Sequence, residues 1–85
     1  MTIFDFTLTV EGLDVLDDDV IDALFAAGCG DATIGQADGV PRATFHREAP
    51  GFSEAVSSAI RQVEAVAPGA RVVAVTRAPE SAASA

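Results

Sequence analysis

Lysine is absent from this 85-residue chain, whose only cations besides one histidine are five arginines. Thirteen acidic residues stand against them, for a formal charge of −8. That balance disfavours direct binding to DNA or RNA, because neutralising phosphates requires a basic surface. Cysteine is nearly absent as well. Cys29 alone cannot close an internal disulfide, which suits a reducing, cytoplasmic compartment. No apolar run approaches the roughly 20 residues of a membrane-spanning helix, and no basic segment leading into an apolar core marks a leader peptide. Motifs for chemistry are also missing. No nucleophile, base and oxyanion donor form a legible set, and the aspartates do not follow the spacing of a calcium loop. The expectation is a non-enzymatic protein without metal or cofactor.

What is present is a strong period of two. In Ile3 to Val10, Phe4, Phe6, Leu8 and Val10 fall on one side of an extended backbone, with Asp5, Thr7 and Thr9 on the other. Only a strand with one dry and one wet face satisfies this pattern. With 49% hydrophobic residues the chain has enough apolar material for one core. A single domain over residues 1–77 is expected, followed by a disordered tail, 78–85, of Ala, Ser, Pro and Glu with nothing to bury.

The remaining elements follow in order. Asp17 is a candidate N-cap for a helix from Asp18 to Ala27, whose apolar arc is Val20, Ile21, Leu24, Phe25 and Ala27; Gly28 ends it. Ala32 to Ala37 and Val40 to Arg47 read as strands joined by a type I′ turn at Asp38-Gly39. Ile34, Ala43 and Phe45 should point inward, and Arg42, Thr44 and His46 outward. Pro50-Gly51 introduces a second helix running to about Ala67, capped by Gly51 or Ser53. Its buried stripe is Val56, Ala59, Ile60, Val63 and Ala67, and its wet face Glu54, Ser57, Ser58, Arg61 and Glu64. Pro68-Gly69 breaks it before a last strand, Arg71 to Arg77, built on Val72, Val73 and Val75. The order βαββαβ predicts an α+β ferredoxin-like sandwich: a four-stranded antiparallel sheet, order 4-1-3-2, with two helices on one face.

Three features bear on function. Asp14, Asp17, Asp18, Asp19 and Asp22 form an acidic cluster. It serves either as favourable charge at a helix N-terminus or as a phosphate-like patch for a basic protein partner. On the open sheet face, Asp5 and Thr7 should neighbour Arg42, Thr44 and His46. An Asp–His pair there is the one conceivable acid–base site, although a solvated polar ladder explains the same residues. RNA-binding versions of this fold use aromatic and basic residues on that face, whereas here those positions are mostly Thr, Asp and Gly, which argues against RNA. Cys29, between two glycines at a helix C-terminus, is expected to be a packing residue, since the dipole there disfavours a thiolate.

The segments Asp22-Ala-Leu-Phe-Ala-Ala-Gly-Cys-Gly-Asp-Ala-Thr-Ile-Gly35, Phe45-His-Arg-Glu-Ala49, Ala55-Val-Ser-Ser-Ala-Ile-Arg-Gln-Val-Glu64 and Pro68-Gly-Ala-Arg-Val72 carry a resemblance. They are similar to the N-terminal α/β domain of small uncharacterised bacterial regulators in which a helix-turn-helix follows. Here Ala78-Pro-Glu-Ser-Ala-Ala-Ser-Ala85 stands where the DNA-reading motif would begin, so the expectation is the companion domain without its reader. The leading reading is a small acidic regulator or inhibitor that binds a basic, nucleic-acid-binding protein through Asp14, Asp17, Asp18, Asp19 and Asp22. Antitoxins and anti-CRISPR proteins offer an analogy of size and charge only. The alternative is a dimerisation or small-ligand-sensing domain of a transcriptional regulator, self-associating through the sheet face or holding a ligand at the loop from Glu11 to Asp17.

Overall fold

The computed structural model describes residues 2–66 and 69–77. Six elements follow one another: β1 (Thr2–Glu11), α1 (Asp18–Ala26), β2 (Ala32–Ala37), β3 (Val40–Ala49), α2 (Phe52–Val66) and β4 (Arg71–Arg77). The protein is α+β, with one open four-stranded antiparallel sheet of order β2-β3-β1-β4, which is the expected order read from the opposite edge. The expected disordered tail, 78–85, lies outside the described residues, as do Ala67 and Pro68.

The alternation of β1 decides the sheet's sidedness. Phe6, Leu8 and Val10 are at most 1% exposed, while Asp5, Thr7 and Thr9 face away from the core. On β3 the same face is made by Ala43, Phe45, Arg47 and Ala49. The phenylalanines knit the two layers together. Phe6 stacks on Phe45 at 5.3 Å, and Phe52 of α2 meets both Phe4 and Phe6 edge-on at 5.8 Å. Such geometry adds roughly 0.5–1.5 kcal/mol per pair beyond area burial. The Arg77 guanidinium lies 4.6 Å from the Phe52 ring centroid and closes this cluster at the β4 edge.

The hairpin between β2 and β3 turns at Asp38 and Gly39, with φ of 53° and 78°, as a type I′ turn requires. α2 begins after Gly51, whose carbonyl accepts the Ala55 N–H at 3.1 Å, so Gly51 and not Ser53 is the cap. Its buried residues are Ala55, Ala59 and Val63, with Val56 and Ile60 beside them.

Three expectations need correction. Phe25 is 49% exposed although it belongs to the apolar arc of α1. At 100° per residue it lies at the margin of that arc, and α1 is a short helix packed chiefly on α2, so only Leu24 at the arc's centre is fully covered. Val73 is 46% exposed because the register shifts between Thr9 and Val10 and inserts it as an extra residue, and Val75, opposite Leu8, is 41% exposed because β4 is an edge strand. Ser58, expected on the wet face of α2, is half-buried and hydrogen-bonded inward.

Candidate functional site

The acidic cluster is a helix start. Asp17 has extended backbone (φ −89°, ψ 118°), and its side chain accepts the Asp19 N–H at 2.9 Å. Asp14 makes the preceding turn in the same way, accepting the Leu16 N–H at 3.1 Å. Asp17 therefore satisfies an amide that the helix leaves free, and Asp14 one in the turn that leads into it. Asp18 and Asp19 occupy the first turn and Asp22 the next, and all five aspartates are exposed. Among the described residues none of Asp18, Asp19 and Asp22 has a cationic partner, and no group of three potential ligands is placed to hold a metal. Leu16, between Asp14 and Asp17 in the chain, is 76% exposed.

On the open sheet face the register brings the expected residues together. Asp5 lies opposite His46, and Thr7 opposite Thr44. His46 Nδ1 contacts the Asp5 carboxylate, and the two threonine hydroxyls are 3.2 Å apart. Both Asp5 and His46 are more than half exposed, in side chains standing on a solvated sheet and not in a water-excluded cleft. The pair is what cross-strand register produces from these residues.

A third cluster was not anticipated. Arg47 is 7% exposed, on the core face of β3. Its Nε and one terminal nitrogen donate to the two Asp31 oxygens at 2.7 and 2.8 Å. That terminal nitrogen also donates to the Gly28 carbonyl at 3.0 Å, and the other donates to Ser58 Oγ at 3.0 Å. Ser58 in turn donates to the Ala55 carbonyl. The Phe45 ring lies under the guanidinium at 4.8 Å. The fork geometry of arginine matches this bidentate demand. Hydrogen bonding from Arg47 holds the Asp31 carboxyl below its usual range, and Asp31 in return raises the guanidinium.

The Gly28 carbonyl is available because of how α1 ends. Gly28 has φ 109°, its N–H reaches the Phe25 carbonyl, and the Cys29 N–H reaches back to Leu24, a Schellman arrangement. Leu24 and Cys29 are both fully buried at this corner. Burial pushes the Cys29 thiol up, consistent with the packing role expected for it. A signal for Arg47 existed: Ala43, Phe45 and Arg47 share one parity, so continuing the alternation by one step places the arginine inside. The structure thus separates the expected partner-binding residues, Asp14, Asp17, Asp18, Asp19 and Asp22, from an internal ionic clamp. Comparison of the chain with protein-family models, with curated proteins and with solved structures finds no match.

Proposed function

We propose that this chain is a non-enzymatic protein-binding regulator or inhibitor that engages a basic, nucleic-acid-binding protein through the exposed start of α1. The observation that carries the reading is the exposed set Asp18, Asp19 and Asp22, unpartnered among the described residues, with Leu16 exposed just ahead of them in the chain. Carboxylates four apart on a helix repel by a few tenths of a kcal/mol. The helix N-terminus offsets this for the first turn, but Asp22 lies beyond it. A basic partner relieves the repulsion and offers Leu16 an apolar contact, the combination of a charged rim and a buried anchor that gives both steering and affinity. Asp14 and Asp17 shape this surface by fixing the helix entry. The element order and strand order support a ferredoxin-like sandwich as the frame, and the absence of lysine supports a protein rather than a nucleic-acid target.

The test is affinity capture from extract of the native host, comparing the wild type with an Asp18→Arg/Asp19→Arg/Asp22→Arg variant. The expected result is a basic protein retained by the wild type, released by salt and lost from the variant. Equal retention by the variant overturns the reading.

A further inference from the structure

The open face of the sheet is chemically unlike the rest of the molecule. Pairing registers place Thr33, Thr44, Thr7 and Thr76 in one row that crosses all four strands. On one side of this row stand His46 and Asp5, then Glu48 and Ile3. On the other stand Gly35, Arg42, Thr9 and Ala74, then Ala37, Val40, Glu11 and Arg71. Three carboxylates (Asp5, Glu11, Glu48) therefore meet two guanidiniums (Arg42, Arg71), so the face is within one charge of neutral while the chain carries −8. Most of the negative charge lies elsewhere, much of it around α1. Two copies approaching by their helical sides repel; two copies approaching by their sheet faces do not.

The face is also self-complementary. We propose that it docks a second copy of this chain, face to face, across a two-fold axis running along the threonine row. That operation reverses the strand direction and keeps each strand over its own counterpart. Arg42 of one protomer then lies over the Asp5–His46 pair of its partner, twice in the dimer. Ile3 and Val40, 52% and 38% exposed at opposite ends of the face, are brought to the same end of the joint surface. The threonine rows meet at the centre, where hydroxyls serve as donor and acceptor alike. No nucleic acid suits the face, which exposes no Phe, Tyr or Trp and has no net positive charge.

Three rows across four strands and two across β3 and β1 alone cover about 500 Å² per copy at the usual strand spacings, some 1,000 Å² for the pair. This is the low end of specific interfaces, so a reversible dimer with a dissociation constant on the order of micromolar is expected. Sedimentation velocity from roughly 1 μM to 1 mM brackets that range. The wild type should pass from monomer to dimer. Arg42→Asp should weaken the dimer at least about tenfold, since two desolvated ion pairs are replaced by like charges. Asp5→Arg combined with Arg42→Asp exchanges the partners and should recover most of that loss. All these residues are exposed, and unchanged far-UV circular dichroism verifies folding. A wild type that stays monomeric throughout overturns the proposal, as does a dimer indifferent to Arg42→Asp. The Asp18→Arg/Asp19→Arg/Asp22→Arg variant should dimerise like the wild type, which keeps this proposal separate from the partner reading.

Discussion

Replacing Arg47 by alanine tests the main internal contact of the fold. Its guanidinium makes four hydrogen bonds, two of them to Asp31, and joins β3 to the α1–β2 corner and to α2. Removing one member of a buried ion pair costs about 3–5 kcal/mol, chiefly by stranding the other charge. Asp31 is 31% exposed, so water recovers part of its solvation, and the expected cost falls to about 2–4 kcal/mol. Lost contact between the arginine and the Phe45 ring adds to the same side. Against a total of roughly 4–13 kcal/mol for a chain of this length, this is a large fraction. Urea denaturation followed by far-UV circular dichroism reads it directly. With a slope of about 1 kcal/mol/M, Arg47→Ala should lower the midpoint by roughly 2–4 M. Arg47→Lys keeps the charge without the fork and should recover about half, which preserves a readout if the alanine variant is unfolded in water. Exposed Arg42→Ala should stay within about 0.5 kcal/mol of the wild type. A shift below about 0.5 M for Arg47→Ala, with an unchanged slope, would refute the clamp.

Acid should dismantle the same pair. The folded-state Asp31 carboxyl titrates below its unbound value of 3.8, so its contribution is complete above that value and is lost as pH falls through the lower folded-state one. Thermal midpoints measured from about pH 6 down to pH 3 should therefore fall less steeply for Asp31→Asn, which starts less stable, than for the wild type. Gly12 has φ 73°, and a Cβ there would lie 2.1 Å from the Gly69 carbonyl oxygen. Gly12→Ala should cost about 2–4 kcal/mol in chemical denaturation, whereas Gly39→Ala, strained at φ 78° but facing open space, should cost about 1 kcal/mol. Asp17→Ala removes the N-cap of α1 and should cost about 1 kcal/mol in the same assay, with Asp17→Asn close to neutral.

Much of the fold was legible because local chemistry and global architecture agree along most of the chain. Phe4 to Val10 can alternate only as a strand, Asp38-Gly39 permits a tight hairpin, and Gly28 permits the left-handed conformation that ends α1. What escaped were properties set by neighbours. The periodicity of α1 identified Phe25 as apolar but not that its one main neighbour, α2, is too narrow to cover it. The run Val72, Val73, Val75 signalled a strand, yet the bulge that turns Val73 outward arises from pairing with Thr9 and Val10. Arg47 was obscured by its chemical type. An arginine is ordinarily a surface residue, and only the conjunction of its parity with Asp31, Gly28 and Ser58, distant in sequence, makes burial affordable. The acidic residues could be placed on a helix start from sequence, but not divided into those engaged in capping and those left free.

That division separates what holds the fold from what is free to act. Gly28 and Asp31 flank the α1–β2 corner, Arg47 stands on β3 and Ser58 on α2, and all converge on one guanidinium. The clamp's groups are consumed in making it. Binding must then use side chains outside that clamp. Two surfaces meet this condition: Asp18, Asp19 and Asp22 of α1, without a cationic partner among the described residues, and the near-neutral sheet face turned away from the helices. Because α1 packs on α2 and α2 on the core face of the sheet, these surfaces lie on opposite sides of the domain. A dimer closed through the sheets would present its two acidic helix starts outward. A basic partner with two suitably spaced sites would then be held by both, and the effective concentration of the second contact would strengthen an individually weak electrostatic interaction.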